Sequence, residues 1–373
     1  MNATGDEALR AAVRELAGEA RAVPDLASRA LRRGRQLRRR RRAAAGGGAL
    51  LALAVLAVPF LVLRPDPPAD TAGWNAPVAP TPTPTVSVVP PPDGDWTRTR
   101  LTLPGGWVLA GATSTGSPAE TAYALDRTRN RYVGEDRYDE MWAAPQGDTA
   151  AVVDYDRNGV TGLLDVRGDK VRWVTTGEHI MTPHWSPDGQ RIVATILDKE
   201  TGRFSMGVLT VRTGAYRTFP VDTTRYLCTD YCYFTWARDG REVALQQTDP
   251  GAPRSEAQPH ARRGVQFFSP DDGRPTRFVP VPGDPAGPWA WSPDGRLVVV
   301  KGQDGPKIAE VATGRIVGVA PADDAAWISD DRLLYRDVRA NEMVLTDPEG
   351  RPLTRQALPR ALGANMVLTI APS

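Results

Sequence analysis

The residues of this 373-residue chain that could do chemistry are few: two cysteines, three histidines and a scatter of paired acids. Cys228 and Cys232 lie four residues apart, a spacing that suits a local disulfide on the oxidising side of a membrane; two free thiols are the alternative. Residues 154–165 read DYDRNGVTGLLD and put Asp154, Asp156, Asn158 and Asp165 at the first, third, fifth and twelfth positions of a calcium loop. The same stretch falls where a hairpin must turn, Asn158-Gly159 is a strong turn pair, and Asp165 stands where a bidentate Glu is expected. Calcium is therefore the weaker reading, and no metal is expected. His179, His184 and His260 form no H-E-x-x-H set. No G-x-S-x-G nucleophile and no phosphate loop is present. The neighbouring acids Asp271-Asp272 and Asp323-Asp324 read as solvated loop residues. These absences predict a non-catalytic chain without a cofactor.

Charge is unevenly spread. Residues 1–46 hold 12 arginines against five acids, a net of +7, while the remainder has 34 basic and 39 acidic residues, a net of −5. The mildly acidic body lacks the basic stripe that phosphate neutralisation requires, so no nucleic-acid partner is expected there.

Residues 43–63, AAAGGGALLALAVLAVPFLVL, form a 21-residue run without charge, and about 20 residues cross a bilayer core as a helix. Arg38 to Arg42 precede it and few charges follow. The positive-inside rule then keeps residues 1–42 in the cytoplasm and sends the rest outside, as a single-pass cell-membrane protein. A cleaved signal peptide is the rival, but its leading segment would be unusually long and no A-x-A site follows directly. The tail opens on a T-G-D-E capping box and carries Leu9, Val13 and Leu16 at helical spacing. Three roles compete for it: setting topology with anionic lipid, docking a cytoplasmic partner through Leu9, Val13 and Leu16, or nucleic-acid contact. The layout resembles that of a transmembrane anti-sigma factor, without the zinc-binding His/Cys set in the tail. Residues 64–95 hold ten prolines and no hydrophobic period, so they read as an extended, disordered linker.

From residue 96 the chain repeats. WSPDGQRIVA (185–194), WARDGREVAL (236–245) and WSPDGRLVVV (291–300) are good copies, and weaker ones begin at Trp142 and Trp327, at intervals of 43, 51, 55 and 36 residues. Each is a strand, a tight turn and a strand. Downstream of each lies a second strand–turn–strand unit, such as LDVRGDKVRWV (164–174) or AEVATGRIVGV (309–319), and ALDRTRNRYVG (124–134) opens the series. Six units of four strands predict an all-β, six-bladed β-propeller over 96–373, preceded by the helical tail, the transmembrane helix and the linker. The run from Asn365 to Ala371 is expected to close the ring by pairing with a blade at the other terminus.

The W-S-P-D-G turn followed by an apolar triplet resembles the WD40-like repeat of TolB-type propellers. The resemblance covers about residues 100–373 and implies that Trp185, Asp188, Trp291 and Asp294 pack blades. The long segments, Gly134–Glu140, Tyr226–Tyr233 and Thr248–Gly264, all fall on the face of second-to-third-strand and inter-blade loops. Blade four owns two of them, and Tyr226, Tyr231, Tyr233 and Trp289 are the candidate contacts for a protein or cell-envelope ligand. The expected function is a membrane-tethered extracytoplasmic binding, sensing or scaffold module. The alternative is a regulator whose tail binds a partner such as a sigma factor, and an enzyme with a site in the channel is the least favoured.

Overall fold

The computed structural model describes residues 86–92, 94–114, 121–177, 183–198, 203–230, 232–253 and 260–373, all within one compact unit, Ala79–Ser373. The tail with Leu9, Val13 and Leu16, the apolar segment 43–63 and the linker up to residue 85 lie outside the described residues. Among the described residues no helix is long and apolar enough to cross a membrane.

Strand-forming runs separated by turn residues build six sheets. Blade two is the plainest: Glu140–Ala143, Thr149–Val153, Val160–Asp165 and Lys170–Thr175 pair in sequence as an antiparallel meander. Blade three starts at His184–Trp185 and blade four at Thr235–Trp236. Blade five contributes Leu297–Gly302, Gly305–Glu310 and Ile316–Val319, and its inner position is reduced to two isolated bridges, Asp284 to Lys301 and Trp291 to Val298. Blade six runs from Ala326–Ser329 to Pro352–Ala357. Blade one is composite. Its inner strand is the C-terminal Met366–Pro372, paired antiparallel with Trp107–Ser114, so the expected ring closure is what the structure contains.

The expected domain boundary moves. Ser87–Val89, read as linker because of the prolines around it, pairs in parallel with the outer strand of blade six, Ser87 opposite Thr354 and Val89 opposite Gln356. The run 86–89 is free of proline and so keeps its amide donors, and three of its four residues are valine, so it can add a fifth strand and cover that edge.

The core lies between blades and not at one centre. Val298, Val299, Val300, Trp327 and Leu333 are fully buried where blades five and six meet, and Val193, Phe234, Trp236 and Phe268 fill the space between three and four. The repeat tryptophans add directional pins. Trp185 Nε1 donates to the Trp142 carbonyl and Trp236 Nε1 to that of His184, each at 2.9 Å. The turns are self-capped. Ser186 Oγ donates to Asp188, which accepts the amide of Gln190, and Ser292 and Asp294 repeat the arrangement. Gly189 closes its turn at φ +67°, and a Cβ there would stand 2.5 Å from the Gln146 carbonyl of blade two.

Two arginines finish the ring. Arg238, in the blade-four turn, donates to the carbonyls of Trp291 (2.8 Å) and Trp327 (2.9 Å) and so ties three blades on the turn face. Arg336 of blade six donates to the carbonyls of Leu362, Gly363 and Met366 and to Asn341, gripping the segment that leads into the closing strand. Arg336→Met keeps the apolar stem and strands those carbonyls. It is expected to lower unfolding free energy by about 2–4 kcal/mol in urea titration. An unchanged midpoint would mean that strand pairing alone holds the closing segment.

Candidate functional site

Inner strands of all blades run from the loop face to the turn face, and the space they leave at the ring centre is a cavity of about 460 Å³. Its wall takes residues from blades one, two, three, five and six, and is mostly apolar and aromatic. Trp142 and Trp185 stand on one side, Trp289 and Tyr335 on the other, and Leu368 and Ile370 of the closing strand between them. Glycine and alanine at 286, 287 and 290 make the room on the blade-five side. Val338 and Val367 carry the apolar wall out to the loop face, where they are 48% and 42% exposed.

His184, Asp324 and Arg336 bring ionisable groups to the wall beside the hydroxyls of Thr369 and Tyr335. His184 stacks on Tyr233, with ring centroids 5.3 Å apart and planes inclined by 11°. It keeps partial exposure to the cavity but is surrounded by protein, and that burial lowers its pKa to about 4, so it is neutral. Asp324 faces open cavity space. Crowding by protein raises its carboxyl above the usual aspartate value, with Asp323 adding to the rise and Arg336 opposing it. Arg336 is lowered by burial and supported by Asp324.

A second polar group sits under the loops of blade four. The sulfurs of Cys228 and Cys232 are 2.10 Å apart and their Cα atoms 5.9 Å apart. Arg262, almost fully buried, grips Asp284 with two hydrogen bonds of 2.6 and 3.0 Å. Its Nη1 also donates to the Thr229 carbonyl (3.0 Å) and to Thr248 Oγ1 (2.8 Å). The His260 amide donates to Asp230, and its Nδ1 meets Thr229 Oγ1 at 2.6 Å. The cysteine loop and the blade-four insertion are thus tied to each other and to blade five. Burial raises the Asp284 carboxyl, and Arg262 and Lys301 pull against that rise.

The sequence-derived candidates divide. Trp289 lines the cavity, packed edge-on against Trp107 at 5.1 Å and overlain by Arg238 at 5.4 Å. Tyr233 reaches the cavity only through His184. Tyr226 is 8% exposed and packs edge-on against Phe268 at 5.2 Å, so it is core and offers no contact surface. Tyr231 lies outside the described residues, as does His179. The calcium-loop residues do not converge. Asp154, Asp156 and Asn158 are in the loop of blade two, while Asp165 ends the following strand, roughly 16 Å away at about 3.3 Å per residue. There it accepts the Arg167 amide in the turn on the other face. Among the described residues no group of three or more His, Cys, Asp or Glu could hold a metal ion. Arg336 escaped the sequence reading, His184 was noted there only for the absence of a metal-binding set, and Asp324, read as a solvated loop acid, instead lines the cavity with its carboxyl raised by surrounding protein. The signal available was position: His184 immediately precedes a repeat tryptophan, which heads an inner strand.

Two substitutions test these environments. An imidazole held at about 4 in the fold and at 6.5 when unfolded binds its proton preferentially in the unfolded chain. Its contribution is present above pH 6.5 and is lost as pH falls toward 4, on the order of 3 kcal/mol. His184→Gln is expected to flatten stability against pH over that window by this amount. Arg262→Met leaves Asp284 buried without its partner and is expected to cost about 3–5 kcal/mol at pH 7. A raised carboxyl is stabilising below its unfolded value of 3.8 and loses that contribution as pH rises, so part of the loss should be recovered on acidification. An equal loss at pH 7 and pH 4.5 in denaturant titrations would show that Asp284 is not the charge responsible.

No protein-family model matches the chain, and no curated protein matches it. Solved structures match it at low sequence identity. TolB from Acinetobacter baumannii aligns at 16% identity and TM-score 0.43, over 70% of this chain and 63% of that one. The β-propeller domain of the Trilobed protease from Pyrococcus furiosus aligns at 12% identity and TM-score 0.44, over 68% of this chain and 83% of that one. The Pyrococcus horikoshii acylaminoacyl peptidase aligns at 13% and 0.44, over 68% of this chain and 44% of that one.

Proposed function

We propose that the chain is a membrane-tethered extracytoplasmic propeller that binds a ligand on its loop face and does no catalysis of its own. The observation that carries the binding reading is the central cavity, whose apolar wall continues through exposed Val338 and Val367 to that face. The non-catalytic reading is supported by how its charged groups are used. Arg336 is spent on backbone carbonyls of the closing segment, and Arg262 and Asp284 on each other. The tether rests on the sequence: an uncharged 43–63 after the arginine run Arg38 to Arg42. The cysteine pair, within bonding distance, suits an oxidising compartment.

Protease added to intact spheroplasts of expressing cells tests the topology. It is expected to cut in the proline-rich 64–85 and release the propeller, while an N-terminal tag stays protected until the cells are lysed. Protection of the propeller in intact spheroplasts would sink the tethered, outside reading.

A further inference from the structure

We infer that the ring-centre cavity is a binding site for an uncharged, ring-bearing apolar small molecule. Such a ligand would be what the loop face takes up under the binding reading above. About 460 Å³ suits a small molecule, within the range of about 300–1,000 Å³ usual for such sites. The wall takes four large aromatic side chains from four blades, Trp142, Trp185, Trp289 and Tyr335, so a ring-bearing ligand would meet aromatic surface around the cavity.

Charge argues against an ionic ligand. Arg336 is committed to the carbonyls of Leu362, Gly363 and Met366, His184 is held neutral by burial, and crowding by protein disfavours the charged form of Asp324. An anion entering would lose its water without gaining an uncommitted cation, and a cation would have only Asp324, whose charged form is already disfavoured, to replace its water. An apolar ligand gains the burial of its own surface and of the wall, at about 25 cal/mol per Å². Two polar handles remain to orient it. The indole N–H groups of Trp142 and Trp185 are taken by Glu140 and by the Trp142 carbonyl. Trp289 N–H and the His184 ring nitrogens have no hydrogen-bond partner among the described residues, and both residues line the cavity. The ligand would therefore carry one or two neutral acceptor or donor groups on an otherwise apolar frame.

Site-directed thiols in the full chain, kept in native membrane vesicles, test this. Thr369→Cys puts a thiol on the cavity wall, and Thr213→Cys puts one in an exposed turn of blade three. Each is reacted with N-phenylmaleimide, which is neutral and aromatic, and with an anionic and a cationic methanethiosulfonate of similar size. The unsubstituted protein is the blank. The ratio of neutral to charged rates is expected to be at least about tenfold higher at position 369 than at 213. Adding Ala286→Trp, or Ala364→Trp at the mouth, should abolish the difference by filling the space. Equal ratios at the two sites, no reaction of the 369 thiol with any reagent, or a preference that survives both tryptophans would overturn the inference. A propeller protected from protease in spheroplasts would instead defeat the topology alone and leave the cavity result standing.

Discussion

The pairing of Met366–Pro372 with Trp107–Ser114 is the contact on which the rest of the molecule depends. Blades pack side by side, so an open row of them would leave an apolar face at each end. Supplying blade one's inner strand from the far end of the chain turns the row into a ring. It also brings Val108 and Leu109 against Leu334 and Met343 of blade six. The closure is reinforced at both ends of the strand: Arg336 holds its entry and Gln146 donates to the Pro372 carbonyl at its exit. The short parallel strand Ser87–Val89 then covers the outer edge of blade six.

Once the ring is closed, departures from the repeat decide where space remains. In blades three and four the repeat tryptophan reaches back and donates to the preceding blade. In blades five and six the indole N–H groups of Trp291 and Trp327 are buried without a partner, and Arg238 takes their carbonyls instead. Blade five's inner strand is broken into two isolated bridges on either side of Gly287-Pro288, because proline cannot donate to a ladder and glycine brings no side chain to pack. The cavity wall on that side is built from these small residues and from Trp289. One local irregularity thus explains both the unpaired indoles and the room at the centre.

The loops of blade four obey a different rule. Long loops are ordinarily loose, but here a buried ion pair and a set of threonine and histidine hydrogen bonds fasten them to the sheet. Arg262 is buried at the cost of its hydration and is satisfied by four acceptor contacts, which makes it a fixed post under the cysteine loop. Recognition by this sector, if the loop face is used, would draw on pre-arranged backbone, which reduces the ordering cost of binding.

Much of this was legible in the residues alone. Period-two apolar strands, W-S-P-D-G turns at intervals near 45 residues and six outer hairpins determine a six-bladed propeller, because turn chemistry and strand alternation are local properties. The C-terminal closing strand was legible for the same reason, as an apolar run with no other partner. The site was not. Trp289 was reached from its amphipathic character, but Tyr226 has the same character and is core, and only packing against Phe268 distinguishes them. Asp154 and Asp165 share a spacing with calcium loops, yet a strand between them sends them to opposite faces. His184 belongs to blade three while Asp324 and Arg336 belong to blade six, and only the closed ring puts them on one cavity wall. Sequence by itself determined the repeating unit and how many times it occurs. Which side chains face the centre, how much space they leave and which charges offset each other depended on the angle and irregularity of each inner strand, and those follow from long-range packing that no local pattern encodes.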